Sequence, residues 1–196
     1  MAGGLIASRS LAVPVNTAAP ITEFNPADLQ LRDGRRIVLR TVRPQDKDEL
    51  QAAFKRLSVE SRYSRFMSAL RELTPQMLEQ ATHPKDSREL QLVAVVHEGA
   101  QEKIIGAARY AAETGSAECE FGVAVADQWQ GLGVARQLLA ALMRTARARG
   151  FKRMYGYILA SNSRMLGLAK RLGFVNIASP EGPTVRMVRC DLTRIS

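Results

Sequence analysis

The sequence predicts one α/β domain built around a mixed sheet. The chain has 196 residues, its composition is 46% hydrophobic and 24% charged, and strand-like and helix-like hydrophobic periods follow one another along it. Their order is a strand, three short helices, three strands, and then helix, strand, helix and strand. A chain of this size buries a sizeable core, and the composition excludes a disordered, collagen-like or coiled-coil protein.

The N-terminal part of the chain changes from an irregular segment to a strand. Residues 1–26 mix small residues with three prolines and show no sustained period, which predicts a flexible N-terminal arm ahead of one domain over 27–196. Residues 35–43 alternate between two faces, as a strand does, and Pro44 ends the alternation.

Three short helices are predicted after this proline. Apolar residues recur at helical spacing behind an acidic first turn, namely Leu50, Ala53, Phe54 and Leu57. A second helix is expected after Ser58. Thr74 followed by Pro75 is typical of the N-cap and first residue of a third helix.

Strands return in the middle of the chain, and helices alternate with strands after them. Residues 90–97, 103–112 and 118–125 are expected to form an antiparallel meander, because short polar turns with glycine separate them. Further elements are predicted over 132–149 (helix), 151–159 (strand), 162–172 (helix) and 185–192 (strand).

The chain is basic, with 28 Lys plus Arg against 19 Asp plus Glu and a formal net charge of +9. Such a charge suits nucleic acid, an acidic surface or a small polyanionic ligand, and net charge alone does not choose among them. No apolar run approaches the roughly 20 residues that span a bilayer. We therefore expect a cytoplasmic protein with no membrane partner.

Metal and disulfide chemistry are not expected. Cys119 and Cys190 are too far apart in sequence for a metal-ligand pair and too few for a disulfide framework, so both are predicted to be buried thiols. His83 and His97 have no second ligand at a metal spacing.

The segment that carries most chemical information joins a strand to a helix. The strand that contains Glu120 leads through a short turn into Gln130, Gly131, Leu132, Gly133, Val134, Ala135 and Arg136. Small residues let a ligand approach the backbone, and the first N–H groups of the helix point outward at its positive dipole end. This turn suits a pyrophosphate, although simple turn chemistry also explains its glycines.

Two other phosphate-binding motifs do not fit the turn. A dinucleotide fingerprint needs G-x-G-x-x-G after a first parallel strand, whereas residues 131–136 are G-L-G-V-A-R. A Walker motif needs G-K-[ST], which is absent from this turn.

The turn resembles the acetyl-CoA motif [QR]-x-x-G-x-[GA] of the GCN5-related N-acetyltransferase (GNAT) family, which residues 130–135 match at every specified position. Residues 162–174 look like the family's second signature, an Asn that begins a helix ending in L-G-F. Residues 31–44 and 57–66 are similar to the acetyltransferase domain of bacterial protein lysine acetyltransferases. The resemblance implies the GNAT fold, a mixed, mostly antiparallel central sheet flanked by helices, with a splayed strand pair that binds acetyl-CoA.

The resemblance also implies roles for residues around the cosubstrate. The backbones of Val123 and Val125 would pair with the pantetheine arm, and Asn162 would reach the same arm or simply cap its helix. The backbone N–H groups of the turn would hold the pyrophosphate. Acetyl-CoA is then the cosubstrate, with no metal.

A base is expected because a lysine amine with a pKa near 10.4 is mostly protonated at neutral pH. Glu118 and Glu120 alternate with Cys119 on one strand, so both project from the same face. Glu120 matches the family's base and is favoured over Glu118, and an N–H near Val123 would meet the oxyanion. The tyrosine that many members use as general acid has no counterpart in 165–170, so the acid stays unassigned.

The function expected from these residues is acetyl-CoA-dependent N-acetylation of a primary amine by direct attack, with a protein lysine as acceptor. A small-molecule amine is the alternative in the same class. A basic nucleic-acid-binding module and a CoA-sensing module are the alternatives in other classes, and the low aromatic content of 6% disfavours specific nucleic-acid binding. A homodimer is also compatible with the sequence.

Overall fold

The computed structural model describes residues 24–84, 86–99 and 101–195. The strands are β1 (Ala27–Gln30), β2 (Arg36–Thr41), β3 (Glu89–Glu98), β4 (Gln101–Ala111), β5 (Glu118–Val125), β6 (Arg153–Leu159), β7 (Val175–Ile177) and β8 (Val185–Asp191). The helices are α1 (Lys47–Lys55), α2 (Val59–Phe66), α3 (Pro75–Thr82), α4 (Val134–Ala148) and α5 (Ser163–Arg171).

All eight described strands form one sheet in the order β1-β2-β3-β4-β5-β6-β8-β7. Neighbours are antiparallel except β5 and β6, which are parallel. This parallel pair is matched at three positions, of which the last joins Glu120 to Tyr155, and the two strands separate beyond it. The predicted mixed, mostly antiparallel sheet with a splayed pair is confirmed.

Helices cover the two faces of the sheet and divide the core into two clusters. On one face α4 buries Leu138, Leu139 and Leu142 completely against the strands, and α5 extends this main cluster. On the other face α1 and α3 cover a smaller cluster that contains Val93 and Val95 of β3. Burial of these aliphatic side chains is the principal stabilising contribution to the fold.

A buried ion-pair cluster fixes the entry into α1. Arg40 lies near the end of β2 and is 2% exposed. Its guanidinium donates two hydrogen bonds to the Asp46 carboxylate, with N–O distances of 2.7 and 2.9 Å. The same guanidinium donates to Glu102 on β4 at 2.7 Å. Asp46 also accepts the N–H of Arg43 at 2.7 Å, so the carboxylate ties the loop after β2 to the sheet.

The helices that were expected from the sequence are present, and their caps explain where they begin. The Ser58 Oγ accepts the Ser61 N–H, and the Thr74 Oγ1 accepts the Met77 N–H, which confirms the predicted starts of α2 and α3. Helix α4 begins at Val134 and not at residue 132. The reason is that Gly131 and Gly133 adopt φ values of 77° and 99°, which lie outside the helical region.

Some boundaries differ from the sequence-based expectation. Strands β1 and β7 were not predicted, because segments of four and three residues are too short to show a period. The strand expected over 151–159 begins at Arg153. The arm predicted over 1–26 lies mostly outside the described residues, and of its described part Phe24 packs against the main core.

Both cysteines are buried and free, as predicted. Among the described residues, no three His, Cys, Asp or Glu side chains come together as a metal site. No helix in the described part of the chain is long and apolar enough to cross a membrane.

Candidate active site

A cleft opens in the sheet where β5 and β6 separate. The Ala126 N–H donates to the Ile105 carbonyl at 2.9 Å, so even-numbered residues of β5 direct their backbone groups toward β4. Backbone direction alternates along a strand, and Val123 and Val125 therefore direct theirs toward β6. Since β6 pairs with β5 no further than Glu120, these backbone groups border the cleft.

The cleft leads along β5 to the glycine turn and the N-terminus of α4. Gly131 and Gly133 both have positive φ, and a Cβ at either position would have no atom within 4 Å, so the turn presents bare backbone. The N-cap residue Gly133 offers no side-chain cap. Among the described residues, the N–H groups of 131–136 donate to no protein acceptor. Free N–H groups at the positive end of a 15-residue helix have the geometry and charge that suit an anion.

The side chain of Gln130 braces this turn against its neighbours. Its Nε2 donates to the Val125 carbonyl at 3.1 Å and to the Ser61 Oγ at 3.1 Å. The Val125 carbonyl on the β5 edge is therefore already hydrogen-bonded within the protein. The backbone group of Val125 that stays available to a ligand is its N–H. The family glutamine thus shapes the turn through its side chain.

The two candidate carboxylates lie on one face of β5, as expected, but in different environments. Glu118 is partly buried and forms an ion pair with Arg153. Glu120 is exposed and has no ion pair or hydrogen bond among the described residues. Cys119 and Phe121 point to the opposite face and are buried. Of the two, Glu120 is the carboxylate without a protein partner among the described residues, and it lies where the cleft begins.

Two tyrosines continue the Glu120 face onto β6. Tyr155 is the register partner of Glu120, and its ring meets that of Tyr157 edge to face at 6.0 Å between centroids. Burial, and next the nearby charge of Glu120, raise the pKa of the Tyr155 hydroxyl. No hydrogen bond with another described residue directs either hydroxyl into the cleft.

Asn162 lies beyond the end of β6 and caps α5. Its Oδ1 accepts the Met165 N–H at 3.0 Å, which leaves the Nδ2 group free of described protein partners. The capping role is established by this contact. A second contact with a cosubstrate remains compatible with it.

Sequence reasoning missed the contribution of α2 to this site. The Arg65 side chain from α2 reaches down to the sheet, where a Cβ on Gly122 would lie 2.5 Å from its guanidinium carbon. Arg109 on β4 is the register partner of Gly122. The one available sequence signal was a glycine inside a strand of otherwise larger residues, which indicates a close approach by another group.

Fold and cleft together define an acyltransferase of the N-acetyltransferase class. Residues 36–175 match the family model described as the acetyltransferase (GNAT) domain, and the chain therefore belongs to the GNAT family. Enzymes of this family use acetyl-CoA as cosubstrate.

Two bacterial relatives resemble the chain in sequence. Acetyltransferase PA5475 from Pseudomonas aeruginosa is 35% identical over 154 residues, which make up 79% of this chain and 83% of that protein. Acetyltransferase Pat from Mycolicibacterium smegmatis is 32% identical over 153 residues, which make up 78% of this chain. The match spans 45% of the length of Pat.

Solved structures show the same fold. The GNAT domain of S. lividans PAT superimposes with a TM-score of 0.77 at 28% identity, over 85% of this chain and 96% of that one. A cAMP-binding acyltransferase from Mycobacterium smegmatis gives a TM-score of 0.58 at 28% identity, over 86% of this chain and 47% of its own length.

Proposed function

We propose that the protein transfers the acetyl group of acetyl-CoA to a lysine side chain of another protein, with Glu120 as the base. The observation that carries this proposal is the position of Glu120. Among the described residues this carboxylate has no ion pair or hydrogen bond, and it lies at the point where β5 and β6 separate, on the strand that leads to the glycine turn.

The cosubstrate is proposed to lie along β5. The backbone groups of Val123 and the N–H of Val125 would pair with the pantetheine amides, as an added strand pairs with a sheet edge. The N–H groups of Gly131, Leu132, Gly133, Val134, Ala135 and Arg136 would hold the pyrophosphate. The exposed Arg136 adds a positive charge, and the Nδ2 of Asn162 is free to donate to the pantetheine arm.

The chemical step needs a neutral amine. Glu120, directly or through a water molecule, would accept the proton that leaves the attacking nitrogen. The new bond joins that nitrogen to the acetyl carbon, the carbon–sulfur bond breaks, and CoA leaves as a thiolate. A backbone N–H near Val123 would stabilise the negative charge on the acetyl oxygen. Glu118 is less suited because its carboxylate is already engaged in an ion pair with Arg153.

The choice of a protein acceptor rests on the resemblance of 31–44 and 57–66 to protein lysine acetyltransferases. The similarity to acetyltransferase Pat, which extends over 153 residues, supports it. A small amine would use the same cleft and the same base, so the acceptor has to be tested directly.

The test is incubation of a cell lysate with isotopically labelled acetyl-CoA and the purified protein, followed by mass spectrometry of proteins and small amines. A parallel incubation with Glu120→Gln subtracts spontaneous acetylation. Labelled lysine in proteins that depends on Glu120 is the expected result. Label in small amines alone would overturn the protein acceptor. If no label is transferred although CoA binds, the enzymatic proposal itself fails.

A further inference from the structure

Two arginines stand side by side on the sheet face beneath α2. Arg109 projects from β4 opposite Gly122 on β5, and the guanidinium of Arg65 lies directly against this glycine. Any side chain at residue 122 would displace it, since even a Cβ would come within 2.5 Å of its central carbon. Gly122 therefore creates the space in which Arg65 lies on the backbone of the sheet.

Neither of these arginines is neutralised by an ion pair within the part of the chain that the structure describes. Among the described residues, no carboxylate lies within 4.0 Å of either guanidinium, and neither donates a hydrogen bond. Other inward-facing arginines differ, because Arg40 binds two carboxylates and Arg62 donates to the carbonyls of Leu57 and Lys55. Burial, and next the like charge of Arg109, lower the pKa of Arg65 to about 10, although the charge of Glu120 opposes this change.

The two guanidinium groups line one cavity with an otherwise apolar wall. The cavity, of about 190 Å³, lies between α1–α3 and strands β3–β5. Among the described residues that line it, none is acidic, and the other polar side chains are those of Gln80 and Gln91. Adjacent like charges in an apolar site are unfavourable unless an anion joins them. The arrangement therefore has the chemistry of a carboxylate-binding site.

We propose that Arg65 and Arg109 bind a carboxylate group of the acceptor. Gly122 and Glu120 are two residues apart on one strand face, which places the arginine pair about 7 Å along the strand from the base. An amine at Glu120 and a carboxylate at the arginines can therefore belong to one acceptor molecule. This inference rests on the proposed function and deepens it: the preferred protein lysine has an aspartate or glutamate near it, and polycationic amines are disfavoured.

The first test compares lysine peptides that differ in one residue. Peptides with Glu at one of the three positions before or after the lysine are matched to peptides with Gln there. A charge-assisted pair predicts roughly 10-fold or greater kcat/KM for the best Glu peptide over its Gln match. Arg109→Gln should abolish this preference, and Arg32→Gln, an exposed arginine in the β1–β2 turn, should retain it. Equal rates for all pairs in the native protein would overturn the proposal.

The second test measures the anion site without catalysis. Hexanoate and hexylamine are titrated into the CoA-bound protein, and binding is followed by NMR chemical shifts of backbone amides on β4 and β5. Hexanoate should bind and hexylamine should not, and binding should weaken at least about fivefold in Arg109→Gln and in Gly122→Ala, which displaces Arg65. Thermal unfolding verifies that each variant is folded.

The two tests separate failure of this inference from failure of the proposed function. Arginine-dependent binding of hexanoate without acetylation of any peptide would support the carboxylate site and reject the protein acceptor. Efficient acetylation of peptides with hexanoate binding unchanged in Arg109→Gln would reject the carboxylate site and leave the proposed function intact.

Discussion

The Asp127 carboxylate accepts hydrogen bonds from both the N–H and the Oγ of Ser58, at 2.9 and 2.8 Å. Ser58 is the N-cap of α2, and Asp127 lies just before the glycine turn. The Oγ of Ser61 donates to the same carboxylate at 2.8 Å and accepts from Gln130. Helix α2, which covers the cavity lined by Arg65 and Arg109, and the turn proposed for the pyrophosphate are thus joined through one side chain.

Replacing Asp127 should loosen α2 and affect both substrates. Asp127→Ala removes an ionised acceptor of three hydrogen bonds, and we expect a loss of about 1–3 kcal/mol in the free energy of unfolding. KM should rise for the acceptor and for acetyl-CoA, because the turn and the helix lose their common anchor. Denaturant unfolding and initial-rate kinetics measure the two effects. Asp28→Asn, an exposed carboxylate on β1, is the control and should change neither.

Removing the base should reduce turnover with little effect on the cosubstrate. Glu120→Gln keeps size and hydrogen bonding but deletes the proton acceptor, so kcat near pH 7 should fall roughly 10²- to 10⁴-fold. The rate should recover partly at high pH, where the amine loses its proton without help. Glu118→Gln is the matched control on the same strand face. Full activity in Glu120→Gln together with loss in Glu118→Gln would transfer the role to Glu118.

A carboxylate placed in the glycine turn should repel the pyrophosphate. In Gly133→Asp we expect calorimetry to show CoA binding weakened by at least about tenfold, because negative charge replaces bare backbone at an anion site. Gly133→Ala separates backbone strain from charge and should lose less affinity. Gly115→Asp introduces the same carboxylate at another open glycine with positive φ, in the β4–β5 turn. If Gly133→Asp binds CoA as the native protein does, the pyrophosphate is elsewhere.

The ion pair between Arg40 and Asp46 should make the free energy of unfolding depend on pH in the acidic range. Burial alone would raise the pKa of Asp46, but the hydrogen bonds from Arg40 and the Arg43 N–H lower it below its ordinary value of 3.8. A lowered pKa in the folded state gives stability that is present above the ordinary value and is lost as pH falls through the lowered pKa. Asp46→Asn should lose about 3 kcal/mol at neutral pH. Urea unfolding should show the difference from the native protein shrinking below about pH 4.

Most of the fold and the contiguous part of the site followed from the sequence, whereas contacts between distant segments did not. Helix α4 and strand β5 carry long hydrophobic periods, and the turn beside Glu120 lies within one short stretch. Arg65, Arg109 and Gly122 come from three separate elements, and their meeting depends on packing that residue spacing does not encode. For the same reason the brace from Gln130 to Ser61 could not be predicted.

Three matched positions join β5 to β6, and the two strands diverge beyond them. This short parallel pair divides the described sheet into one part with β1 to β5 and another with β6, β8 and β7. Strands β6, β8 and β7 are joined to β5 through these three positions, and Glu120 is the one nearest the opening. Because paired positions hold the two strands together, a change in the width of the cleft would displace the strand ends beside the glycine turn more than it displaces Glu120. The carboxylate proposed as base would then keep its place on β5 while the cleft adapts to the cosubstrate.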